Sequence, residues 1–462
     1  MRSFEVQPTS ENILKAFEED LIGRNADILH FVDLLNSLEC GTSIALDARW
    51  GAGKTFFVKQ VQMVLDTFNN HIISDYDEER TRVKAAWDRI RVRTKPEIQP
   101  QVSVYYDAWL NDNDEDPMLS LVYTILQSAS TDFVFKRGPE CIRVAANIMQ
   151  AITGKNLTAV LDAIKSTDSL SALRKKKDVH AQIEQFLESL LAEQGNRLIV
   201  FVDELDRCKP TFAVRLLERI KHYFSNDRIT FVFSVNINEL QHTIKKYYGS
   251  EFDASKYLDR FFDFRVDLPP AKMDEFYKRI ELFDIGWVYE EICKAVIEEN
   301  HFTLRETAKF YRLAKTAAHK PTHDDHYTAV YGNEKAVQFC LMCLVPVMIG
   351  LKISDQSKYD AFVRGEDPSL LHKVIKDNNI ASSLFSNMLN LNETYNADNT
   401  DGKKKVVSLS DKLNEIYNAL FVHRYTSNDC EKRVGTLSFS INTKEQLMRA
   451  VSMLSDYADY EI

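Results

Sequence analysis

Apolar positions follow two rhythms along this chain. SIALD (43–47), LIVFVD (198–203) and ITFVFSV (229–235) are nearly continuous apolar runs, and VSVYYD (102–107) alternates. Continuous runs of this length, rich in Ile, Val and Phe, predict strands buried on both faces of a parallel sheet. FFDFRVD (261–267) alternates and predicts a fifth strand, closed by Pro269-Pro270. Between these runs the period becomes helical: over 25–38, over Phe57, Val61, Val64, Leu65 and Phe68, and from Pro117 through PMLSLVYTILQ. The expected core is therefore α/β, five parallel strands with helical crossovers on both faces and a ligand site at the strands' carboxyl ends.

The remaining chain reads as additions to that core. Residues 1–20 predict an arm or short helix, and the core spans 21–270. A helical insertion is expected over about 118–195, and 271–462 reads as a mainly α-helical second domain.

Two strand ends carry chemistry. The run at 43–47 feeds ALDARWGAGKT, a glycine-bearing turn that opens an amphipathic helix. Gly51 and Gly53 let main-chain N–H groups close around a phosphate at a helix N-terminus, whose dipole favours the anion. Lys54 then bridges the terminal phosphates, and Thr55 offers a hydroxyl to magnesium. The position where this motif usually opens with glycine is Ala48, which fits if its φ is negative. The run at 198–203 ends in Asp203-Glu204, with Asp206 close behind. One carboxylate there can hold magnesium through water, and its neighbour can orient and deprotonate an attacking water. Ser234 and Asn236 end the next strand, where a polar group either senses a γ-phosphate or caps the strand.

Composition narrows the picture further. Net charge is −10 over 462 residues, which argues against a protein that coats nucleic acid generally. The basic runs at 89–95, 174–178 and 402–405 leave open a nucleic-acid-stimulated enzyme, and read otherwise as solvated faces. Seven scattered cysteines fit reduced thiols and a cytoplasmic location. Cys340 and Cys343 form a lone C-x-x-C inside VQFCLMCLVPVMIG, a buried helix rather than a zinc site, too short and too interrupted by Pro346 for a membrane span. HKPTHDDHYT (319–328) reads as an exposed loop, and NETYNADNTDGKKK as a flexible one. The N-terminus has no apolar signal-peptide core.

Taken together, ALDARWGAGKT, YYDAW, FVDELDRCKPTF and FVFSVNINEL…YLDRFF resemble the KAP family of P-loop NTPases over about residues 20–270. Trp50 inside the loop, the D-E-L-D-R-C-x-P string, Asp107-Ala108-Trp109 and the leading Gly23-Arg24 carry the resemblance. It implies ATP binding, magnesium-dependent hydrolysis and coupling to assembly or conformational change. Trp50, Gly51, Ala52, Gly53, Lys54, Thr55 and Phe56 would contact nucleotide, with Asn236 joining them from the strand end although an aspartate is common there, and Thr55 and Asp203 would contact the magnesium. Asp203 matches the Walker B aspartate, Glu204 the base, and Asp206 the family's third acid. Arg260 stands where a basic residue is usual, the candidate arginine finger supplied to a neighbouring subunit. A homo-oligomer and a protein partner are therefore expected. Many members carry membrane spans between the two Walker motifs; this sequence resembles a soluble member. Relatives occur in plasmid and phage-exclusion settings, which makes antiviral defence the setting the resemblance implies. The other function weighed is a nucleotide-gated scaffold with little turnover.

Overall fold

The computed structural model of the chain describes residues 7–70, 77–90, 97–114, 116–132, 191, 195–224, 226–279, 287–317, 335–376, 385, 388–389, 391, 394–395, 405–406 and 408–452. The chain divides into two compact units, parting between Phe276 and Tyr277.

In the first unit β1 (Thr42–Asp47), β2 (Gln101–Asp107), β3 (Arg197–Asp203), β4 (Ile229–Val235) and β5 (Phe264–Asp267) form one parallel sheet in the order β2-β3-β4-β1-β5. Alternation along β3 shows why its run is continuous. Leu198, Val200 and Val202 enter one core, and Ile199 and Phe201 enter the other. The first core is closed by α5 (Pro117–Asp132), α6 (Pro210–Tyr223) and α7 (Ile237–Tyr248), through residues such as Leu121, Leu216 and Leu240. The second is closed by α1 (Ser10–Glu18), α2 (Asn25–Ser37), α3 (Lys54–Phe68) and α4 (Asp77–Arg89), through Phe17, Val32, Val61 and Trp87.

Parallel register aligns the strand ends. Asp107 lies beside Asp203, Asp203 beside Ser234, and Asp47 beside Val235 and Asp267. Four acids and a serine thus share the carboxyl edge of the sheet, the place where an open α/β sheet binds ligand.

Three expectations are narrowed or changed. Of the two forms expected for residues 1–20, the described part takes the short helix: Ser10–Glu18 is capped by Thr9, whose hydroxyl accepts from the Asn12 N–H at 3.3 Å, and Phe17 is wholly buried. The fifth strand starts at Phe264, not Phe261, because the preceding residues wrap back onto α8 (Ala254–Leu258) and pack Phe261 and Phe262 on the first core. Of the expected insertion, α5 belongs to the sheet's covering layer, and 133–190 lies outside the described residues. The basic runs at 174–178 and over most of 89–95 and 402–405 lie outside them too, as does 319–328.

The second unit is mainly helical. Its described elements include α9 (Trp287–Glu299), α10 (Leu304–Ala317), α11 (Lys335–Ser354), α12 (Gln356–Val363), α13 (Ser369–Lys376), α14 (Leu409–Tyr417) and α15 (Ile441–Ser452). Within the 392–405 loop and just beyond it, β6 (Thr394–Tyr395) pairs with β7 (Lys405–Val406), and β8 (Glu431–Val434) forms a hairpin with β9 (Leu437–Ser440). The apolar stretch around Cys340 proves longer than expected. It is one helix of 20 residues, long and apolar enough to cross a membrane, yet 78% of its most apolar window is buried in protein. Pro346 does not break it, because a π-turn over Cys340–Leu344 precedes the proline and absorbs the missing N–H. Cys340 and Cys343 are buried there, and burial pushes both thiols up.

Gly350 marks a close crossing of two helices in this unit. A methyl group there would collide with Cγ1 of Val296 on α9. Gly350→Ala should therefore destabilise the protein by about 1–2 kcal/mol, overpacking outweighing the helix propensity gained. A lowered urea midpoint with unchanged slope is the measurement; a raised midpoint would show that the helices part freely.

Candidate functional site

The phosphate-type loop leaves β1 and enters α3. Gly51 and Gly53 sit at φ 79° and 90°, a region a side chain strongly disfavours, and Gly53 caps α3. Ala48 is not among the described non-glycine residues with positive φ, so alanine is accepted where the motif usually has glycine. The ammonium of Lys54 is buried and donates to the Ala48 carbonyl at 2.6 Å and the Arg49 carbonyl at 3.4 Å. Burial lowers its pKa, opposed by Asp206, Asp203, Glu204 and Asp47.

Arg24 braces the loop from behind. Its guanidinium is 2% exposed and donates to the Ala52 carbonyl at 2.7 Å and the Pro269 carbonyl at 2.5 Å, tying the loop to the end of β5. Burial pushes the Arg24 pKa down to about 10.

The β3 carboxylates face this loop. Thr55 Oγ1 donates to Asp203 Oδ2 at 2.7 Å, and the Tyr105 hydroxyl donates to the same oxygen at 3.0 Å. The Glu204 N–H donates to Asp203 Oδ1 at 3.0 Å. A hydroxyl and a carboxylate, both hard oxygen donors in contact, are a fitting pair for magnesium. Among the described residues no group of three or more His, Cys, Asp or Glu is placed to hold a metal, but a nucleotide's own phosphates complete such a pair.

Glu204 adopts a left-handed backbone, φ 61°, which turns its side chain away from the strand line. Its Oε2 pairs with Arg207 Nε at 2.5 Å. Burial, then the charge of Asp203, pushes its carboxyl up to about 7, against the pull of Arg207. That is the range of a general base at neutral pH. Asp206 is 5% exposed, accepts from the Trp50 indole N–H at 2.5 Å, and has Oδ1 without a partner. Burial raises its pKa, while Trp50, Lys54 and the Asn236 backbone N–H oppose the rise.

The structure thus gathers Trp50, Gly51, Ala52, Gly53, Lys54, Thr55, Asp203, Glu204 and Asp206 at one strand edge. Phe56 follows on the first turn of α3, half-buried. Asn236 caps α7 at the same edge through its backbone, without a side-chain cap bond, while the Ile237 N–H donates to Asp47 at 2.9 Å. Ser234 is fully buried, its hydroxyl unpartnered. Arg260 is not brought here. It is exposed in the turn before β5, three residues ahead of Asp263, whose backbone and carboxylate both bond Ser43 at the start of β1. That is the opposite end of the sheet, about 13 Å along β1 from Asp47. Tyr105 was missed in the sequence because its role depends on β2 lying beside β3, which no local pattern states.

A family model described as the KAP family P-loop domain matches residues 24–308. The uncharacterized protein MJ0182 of Methanocaldococcus jannaschii is 24% identical over a segment covering 27% of this chain and 84% of that protein. The structure of the Aeropyrum pernix ORC2 protein (ADPNP-ADP complexes) aligns over 94% of this chain and 93% of that chain, with TM-score 0.31 and 13% identity.

Proposed function

The chain belongs to the KAP family of P-loop NTPases, and on that premise we propose that it binds ATP with magnesium and hydrolyses it, coupling the cycle to assembly or conformational change. The observation that supports this most is the contact of Thr55 with Asp203, next to a carboxyl at Glu204 raised to about 7. Thr55 and Asp203 would hold magnesium, which neutralises charge on the β- and γ-phosphates. The N–H groups of the loop and the ammonium of Lys54 would hold the phosphates. Glu204 would take a proton from a water whose oxygen attacks the γ-phosphorus while the bond to the ADP oxygen breaks. The location proposed is cytoplasmic, in line with free buried thiols, and the antiviral setting rests on the family resemblance alone.

Arg260 enters this proposal only in trans. Lying at the far end of its own sheet and exposed, it can serve a neighbouring copy and not its own loop. Phosphate release per chain should then rise with protein concentration, and Arg260→Ala should remove that rise, lowering the assembled rate by about 10³-fold. Mixing Arg260→Ala with Lys54→Ala should restore part of it, since each supplies what the other lacks. A rate per chain independent of concentration and of mixing would sink the trans role.

A second reading, a nucleotide-gated scaffold with little turnover, is favoured by one observation: Glu204 is engaged by Arg207 rather than free. Tight ATP retention through size exclusion without phosphate release would support it. Stimulation by DNA, abolished by salt, would instead support nucleic acid as a partner.

A further inference from the structure

The carboxylate of Glu204 is held by a cation that two tryptophans hold in turn. A single 3₁₀ turn, Leu205–Arg207, brings Arg207 Nε within 2.5 Å of Glu204 Oε2. Both side chains are largely covered, 23% and 21% exposed, so this is not a loose surface pair. The guanidinium carbon lies 5.6 Å from the Trp50 ring centre and 5.5 Å from that of Trp109, within cation–π range of both.

The two rings belong to different segments. Trp50 is part of the phosphate loop, pinned by its indole N–H to Asp206 at 2.5 Å. Trp109 lies in the turn after β2, where the Leu110 N–H donates to Asp107 at 2.9 Å. The rings are 41% and 52% exposed, so either can leave the stack without opening a core. A carboxylate takes a proton from water only with an oxygen free to face it. A charge-assisted contact this short occupies one oxygen and turns it away from any water. The cation that imposes this is stacked on the loop where phosphates would land.

We propose that the Trp50–Arg207–Trp109 stack is a latch, keeping Glu204 on Arg207 until nucleotide in the loop moves Trp50. Arg207 is then a positioning residue that acts through Glu204. The latch rests on the hydrolytic role proposed for Glu204, and fluorescence separates the two.

The experiment compares wild type, Arg207→Gln and Trp109→Leu for phosphate release at varied ATP, each also in a Glu204→Gln background. Loss of the cation should raise kcat by about tenfold, the worth of one charge-assisted contact, with KM unchanged within about twofold. Trp109→Leu should move kcat the same way by less, and neither change should have any effect with Glu204→Gln. A fall in kcat for Arg207→Gln would overturn the latch and make Arg207 an aid to the base. ATP should also shift the indole emission of wild type, and Arg207→Gln should show the shifted emission without ATP. Trp109→Phe identifies that ring's share of the signal. If no variant releases phosphate but the emission shifts as stated, hydrolysis fails and the latch stands. ATP bound with no shift in emission overturns the latch, whatever the rates.

Discussion

Replacing Glu204 with glutamine should leave ATP bound and lower phosphate release by about 10²–10⁴-fold, the usual worth of a general base. The substitution removes proton affinity and the charge that pairs with Arg207, and leaves the side chain's length unchanged. Glutamine has the same length and can keep the left-handed backbone at φ 61° as well as glutamate does. The contacts that would hold nucleotide and magnesium do not use the Glu204 side chain. Lys54 bonds the Ala48 and Arg49 carbonyls, Thr55 bonds Asp203, and Asp203 takes only the backbone N–H of residue 204. Glutamate is suited to the task because burial and Asp203 raise its carboxyl to about 7, so it can hold a proton transiently. An amide in the same position orients water but cannot accept its proton. Steady-state phosphate release, with bound nucleotide measured by filter retention, gives both numbers. Turnover within about fivefold of wild type would remove Glu204 from the mechanism and leave water activation to another group.

Much of this site is legible in the sequence because its residues are neighbours along the chain. Gly51, Gly53, Lys54 and Thr55 are one turn and the start of one helix, and Asp203-Glu204 is one strand end. The strands of the sheet were readable for a related reason. A strand covered on both faces must be apolar at every position, as Leu198 to Val202 are. What stayed hidden depends on tertiary neighbours. Tyr105 reaches Asp203 only because β2 pairs with β3. Trp109 reaches Arg207 from a different loop. Pro346 reads as a helix break, and only the π-turn before it shows how α11 continues. The placement of Arg260 follows from Asp263 clamping Ser43, a bond across 220 residues that no spacing rule contains.

Lys54→Ala should weaken ATP binding by about 10²-fold or more and abolish phosphate release, the largest binding loss of any single change in the loop. A charge-assisted bond to phosphate alone accounts for about 1.5–3 kcal/mol. The surroundings here add to that. Asp47, Asp203, Glu204 and Asp206 all act on the Lys54 ammonium, and Asp206 is almost fully buried with one oxygen unpartnered. Without the lysine, a polyphosphate would approach a strand edge carrying several carboxylates and lose the one ammonium on which all four of them act. The fold should survive, because Gly51, Gly53 and the Arg24 bond to Ala52 still set the loop's path when the ammonium's bonds to the Ala48 and Arg49 carbonyls are lost. Thermal unfolding with and without nucleotide distinguishes the two effects. Wild type at 100 times its Kd should gain about 2.7 kcal/mol from ATP, and the variant at the same concentration about 0.4 or less. Without nucleotide the two midpoints should lie within a few degrees of each other. An undiminished ATP shift in Lys54→Ala would mean that the backbone N–H groups and the α3 dipole carry the anion unaided. The lysine would then act only on the transition state, and its loss would appear in kcat alone.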